Sequence, residues 1–80
     1  MKAESLREVV RAQPFRPFRL ILANGERLPV PHSEWVHVLV SGRSVLWSDP
    51  EDRFKLLDVG LLLGVEADEP APAGSIAPNL

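Results

Sequence analysis

Phe18-Arg19-Leu20-Ile21-Leu22-Ala23-Asn24-Gly25-Glu26-Arg27-Leu28-Pro29-Val30 is the stretch on which the fold turns. Two apolar runs flank Asn24-Gly25, a dipeptide that marks a β-hairpin. Two loops fit it. In a two-residue loop both Asn24 and Gly25 take positive φ, and Leu22 pairs with Arg27, Leu20 with Pro29 and Phe18 with Pro31. In a three-residue loop Ala23 and Asn24 form a type I turn and Gly25 takes the left-handed bulge position. Leu22 then pairs with Glu26, Leu20 with Leu28 and Phe18 with Val30. Only the second register gathers Phe18, Leu20, Leu22, Leu28 and Val30 on one face and leaves Arg19 and Arg27 on the other. A one-residue slip mixes the faces, so the hydrophobic pattern selects the three-residue loop.

Upstream of the hairpin, Ser5-Leu6-Arg7-Glu8 has the form of a capping box, in which hydroxyl and carboxylate satisfy free amides at a helix start. The helix alternatively begins nearer Lys2. Leu6, Val9, Val10 and Gln13 follow helical spacing, and Pro14 ends the element. Two to three turns do not stand alone in water, so the apolar stripe must pack on the sheet.

Downstream, Pro31-His32-Ser33-Glu34 reads as a turn and Trp35 to Val40 as a third strand, largely apolar on both faces. Ser41-Gly42-Arg43 turns the chain into a strand from Ser44 to Ser48. Asp49-Pro50-Glu51-Asp52 is an acidic loop, Arg53 to Asp58 a further strand, and a tight turn near Val59-Gly60 leads to a last short strand around Leu62 to Glu66. Residues 67–80 hold three Pro, four Ala and a Gly among few other apolar residues and are expected to form a disordered tail. Residues 1–66 then make one domain.

Eighty residues bury only about 60% of the unfolded surface, so the core is marginal and self-association would support it. The chain has no Cys, which excludes disulfides, thiolate catalysis and Cys-based zinc sites. The longest apolar run, Val59 to Val65, is too short to span a membrane, and no signal peptide is visible. A cytoplasmic location is the expectation. The net charge of −2 hides an asymmetry, because basic residues dominate up to Trp47 and acidic ones after it. Such polarity favours head-to-tail association or a basic face.

The order of elements resembles the Sm-like fold of bacterial RNA-chaperone proteins. The resemblance rests on Pro17-Phe18-Arg19-Leu20-Ile21-Leu22-Ala23-Asn24-Gly25-Glu26-Arg27-Leu28 and on Arg53-Phe54-Lys55-Leu56-Leu57-Asp58-Val59-Gly60-Leu61-Leu62. It implies a small barrel and RNA binding. Where that family carries Lys-His for uridine recognition, this chain has Leu57-Asp58, and it has extra residues from Ser41 to Asp52. The chain also resembles a set of small uncharacterised bacterial proteins in Gln13-Pro14-Phe15-Arg16-Pro17-Phe18, the Asn24-Gly25 hairpin, Pro31-His32 and Leu57-Asp58-Val59. That family brings no established activity.

Candidate sites are few. His32, Glu34 and His37 are metal-type ligands, but their spacing matches no familiar metal motif. His32 and Ser33 are adjacent on a turn, where side chains rarely face one another as nucleophile and base. Asp49, Glu51 and Asp52 are interrupted by Pro50 and lack the glycine and terminal Glu of an EF-hand loop. Phe15-Arg16-Pro17-Phe18-Arg19 interleaves aromatic and basic residues as single-stranded nucleic-acid sites do. Arg16, Arg19, Arg27 and Arg43 are therefore the candidate nucleic-acid contacts. No catalytic residue, cofactor or metal site is expected.

The reading is an α+β, mainly β domain. A short N-terminal helix packs on a small, strongly bent antiparallel sheet or SH3/Sm-like barrel of five to six strands. Its expected core is Leu6, Val9, Val10, Phe18, Leu20, Leu22, Leu28, Val30, Trp35, Val38, Val40, Leu46, Phe54, Leu56, Leu62 and Val65. Function is expected to be non-enzymatic, through self-association or protein binding at exposed strand edges, with Sm-like RNA binding as the alternative.

Overall fold

The computed structural model describes residues 1–68, and the expected tail beyond Asp68 lies outside the described residues. The hairpin takes the three-residue loop. Strands β1 (Phe18–Leu22) and β2 (Arg27–Val30) pair with Phe18 opposite Val30 and Leu20 opposite Leu28. The Leu22 amide donates to the Glu26 carbonyl at 2.9 Å, and the Gly25 amide donates to the Leu22 carbonyl at 2.9 Å. Gly25 has φ 91° while Asn24 stays at negative φ. The Asn24 side chain instead accepts from the Glu26 amide at 2.8 Å. A Cβ built on Gly25 would meet nothing, so only its backbone angle calls for glycine.

Strand β6 (Leu62–Ala67) completes a first sheet in the order β2-β1-β6 and runs one residue past the expected boundary at 66. Strands β3 (Val36–Val38), β4 (Ser44–Ser48) and β5 (Phe54–Asp58) form a second sheet in the order β3-β4-β5. Single-turn 3-10 helices at Ser33–Trp35 and Val59–Leu61 carry the chain between the sheets. The domain is α+β and mainly β, but its strands form two three-stranded sheets and not a closed barrel. Alternation of bonded pairs along β2 turns the Pro29 position away from β1, toward the open edge. Proline has no N–H to donate there, which leaves that edge poorly suited to closing a barrel.

Helix α1 (Ala3–Arg11) starts at Lys2, with no side-chain cap, so Ser5 lies inside the first turns and the capping-box start is not used. Its stripe drives Leu6 to full burial. Arg7 on the same helix donates to the carbonyls of Leu39 (2.9 Å) and Val40 (3.3 Å), satisfying acceptors in the β3–β4 turn.

The core comprises Leu6, Phe18, Leu20, Leu22, Leu28, Val30, Val36, Val45, Trp47, Val59 and Leu62. Val9, Val10, Trp35, Val38 and Val65 pack partly buried against it. Each fully buried Leu or Val contributes roughly 1.5–3 kcal/mol. Four expected core residues are not in it. Val40 is 97% exposed, because the turn already begins at Leu39, whose carbonyl accepts from Gly42. On β4 the inward pair is Val45 and Trp47, which turns Leu46 to the other face. Pairing of Leu46 with Leu56 and of Ser48 with Phe54 then carries that face to β5, leaving Phe54 and Leu56 exposed. One face choice on β4 thus moves three residues.

Candidate interaction surface

The exposed apolar residues of the second sheet can be placed relative to its hydrogen bonds. In an antiparallel pair, bonded and non-bonded positions alternate. The Asp49 amide donates to the Arg53 carbonyl at 3.0 Å, and the Val59 amide donates to the Arg43 carbonyl at 2.9 Å. Stepping by two from either end makes Trp47–Lys55 and Val45–Leu57 the bonded pairs. Lys55 and Leu57 therefore spend their backbone groups on β4. Phe54, Leu56 and Asp58 point theirs away from it, along the outer edge of the last strand in the sheet. Among the described residues no strand pairs with that edge.

The same strand shows its apolar side chains to solvent. Phe54 is 68% exposed and Leu56 63%. Leu46 lies beside Leu56, and exposed His37 beside Leu46, so a leucine pair bordered by a histidine crosses the outer face of the sheet. An open edge strand carrying large exposed apolar groups is the feature that monomeric β proteins avoid or cover.

A groove of about 390 Å3 opens beside β5, lined by Leu28, Pro29, Trp35, Trp47, Phe54 and Lys55 among others. The Trp47 indole donates to the Pro29 carbonyl at 2.8 Å, joining the two sheets. Its ring meets Trp35 edge-on at 5.9 Å. At the rim Lys55 pairs with Glu26 at 3.1 Å, and Arg53 with Asp49 at 2.8 Å and Glu51 at 2.9 Å. Of these pairs Lys55–Glu26 joins distant segments, whereas the Arg53 pairs lie within the loop between β4 and β5.

The acidic loop is a structural turn. Asp52 takes φ 64° and its amide donates to the Asp49 carbonyl at 3.1 Å, repeating the backbone pattern at Gly25. The Asp49 carboxylate accepts from the amides of Glu51 (2.9 Å) and Arg53 (3.1 Å) and from the Arg53 guanidinium. Desolvation alone would raise its pKa. Hydrogen bonds from Arg53 and Glu51 outweigh that and hold the carboxyl below its ordinary value.

The arginines do not form one basic face. Arg19 and Arg27 do share the outer face of the first sheet, and Glu66 sits between them at 3.7 and 3.4 Å. Arg19 also pairs with Asp68 at 3.0 Å, so the charges there cancel locally. Arg43 lies in the β3–β4 turn on the other sheet, and Arg16 precedes β1. Among the described residues no three His, Asp or Glu side chains converge as metal ligands. His37 lies on the outer face of the second sheet, whereas His32 precedes the 3-10 turn. No described helix is long and apolar enough to cross a membrane.

Sequence reasoning missed the edge site because it placed Phe54 and Leu56 in the core. The signal was present in Ser44-Val45-Leu46-Trp47-Ser48, where serines flank Leu46 on one face and Val45 and Trp47 share the other. Comparison with protein-family models, curated proteins and solved structures found no match to this chain.

Proposed function

We propose that this chain is a small non-enzymatic interaction module that binds protein along the free edge of β5. The observation that carries the reading is the coincidence, on one strand, of unpaired backbone groups and exposed Phe54 and Leu56. Strand addition to such an edge supplies main-chain hydrogen bonds, while the outward side chains supply apolar contact and selectivity. The groove's rim charges pair with one another, which supports binding over catalysis as the role.

The test places a photo-crosslinking side chain at Leu56 of the full chain in its native cell, with the exposed Glu51 as the control position. The reading predicts discrete protein adducts from position 56 and few from 51. Equal yields at both positions, or no adduct at 56, would refute it.

A further inference from the structure

The free edge of β5 is complementary to itself, and we infer that its partner is a second copy of this chain, paired antiparallel about a two-fold axis through Leu56. This rests on the reading of the β5 edge as the interaction surface.

The register follows from the strand alone. A two-fold pairing must set edge-facing residues opposite edge-facing residues, so its axis passes through a residue. An axis through Lys55 sets two lysines directly opposite each other. An axis through Phe54 sets Arg53 against Lys55 and leaves half the strand unpaired. Like charges directly opposite are destabilising, so both are disfavoured. An axis through Leu57 again leaves part of the strand unpaired. The axis through Leu56 pairs the whole of Phe54–Asp58, Leu56 with Leu56, Lys55 with Leu57 and Phe54 with Asp58. Every backbone group that the edge points away from β4 then finds a partner, and no like charges face each other. Lys55 is already held to Glu26 of its own copy.

The side chains agree with that register. Leu46 lies beside Leu56 on the outer face, so the pairing continues the row as Leu46–Leu56–Leu56–Leu46 across the joined sheets. The dimer would hold one six-stranded sheet in the order β3-β4-β5-β5-β4-β3. Each marginal core would be extended by an ordered neighbour in place of an open edge.

Two measurements on the purified full chain test this. Paired Leu56 positions bring their Cα atoms to about 5.5 Å, within disulfide reach. The chain has no cysteine of its own, so Leu56→Cys should form a disulfide-linked dimer on mild oxidation. Leu63→Cys, 66% exposed on β6, should not. Sedimentation equilibrium should show a doubling of mass for the parent chain and a monomer for Leu56→Pro, whose lost N–H faces the free edge and not β4. Should the proline unfold the domain by circular dichroism, Leu56→Lys, which sets like charges on the axis, must give the same monomer.

A parent chain that stays monomeric at all concentrations would overturn the inference. So would a dimer unaffected by these changes. If the monomeric chain still gives heterologous adducts from position 56 in cells, the broader reading survives and only the identity of the partner fails.

Discussion

Replacing Trp47 with Phe should remove a polar link between the two sheets while leaving each sheet's own ladder intact. The indole N–H donates to the Pro29 carbonyl at 2.8 Å, a neutral bond with a net value of about 0.5–1.5 kcal/mol. Pro29 is exposed, so its carbonyl is rehydrated and adds no orphaned-acceptor penalty. The edge contact with Trp35 contributes about 0.5–1.5 kcal/mol more, part of which the smaller ring loses. Trp47 is only 7% exposed, so trimming it also forfeits buried apolar surface, at about 25 cal/mol per Å2. The expected loss is about 2–3 kcal/mol. That is a large share of the roughly 3–10 kcal/mol a domain of this size commands. With a urea slope near 1 kcal/mol/M, the midpoint followed by far-UV circular dichroism should fall by about 2 M or more. Trp35→Phe keeps the Pro29 bond and should lose about 1 kcal/mol. If Trp47→Phe lies within about 0.5 kcal/mol of the parent, or Trp35→Phe is the more damaging, the bridging role of Trp47 is wrong.

Two of the three positive-φ positions among the described residues, Gly25 and Asp52, predict substitutions of opposite sense. Gly25→Ala forces a Cβ into φ 91° with nothing to contact, and should destabilise by about 1 kcal/mol once the gain in unfolded-chain rigidity is subtracted. Asp52→Gly relieves a residue already at φ 64° and should leave stability within about 0.5 kcal/mol of the parent or raise it. Thermal melts that rank the two variants the other way would contradict the loop assignment. Acid titration tests Asp49, whose folded-state pKa is lowered by its bonds to Arg53 and Glu51 against the opposing effect of burial. Its contribution should be complete above the unfolded value of about 3.9 and be lost as pH falls through the lower folded value. Asp49→Asn should therefore flatten the stability–pH curve below about pH 4, and an unchanged slope in urea melts at those pH values would count against the network.

Much of the local structure was legible in the sequence because it is set by near neighbours. The Asn24-Gly25 loop follows from alternation on both sides of a single glycine, and its register is the one that keeps Phe18 and Val30 on one face. The strands after Ser44 fall close to their expected bounds for the same reason. The sequence allows two helix starts, since Ser5 and Glu8 have capping-box spacing whether or not the helix begins there. The role of Arg7 was not legible, because its acceptors at Leu39 and Val40 lie more than thirty residues away.

The sequence by itself determined the elements, their order and the faces of the first hairpin, because those depend on alternation and turn chemistry within a few residues. Tertiary structure settled which side of β4 faces inward, a choice that the serines around Leu46 mark but do not enforce. Both of its faces carry an apolar residue, and the choice rests on a carbonyl at Pro29 and a ring at Trp35 that only folding brings to Trp47. That choice turned Leu46, Leu56 and Phe54 outward and made an open edge of a strand expected in the core. A strand's period states that two faces exist; which one is buried is settled by what packs against it.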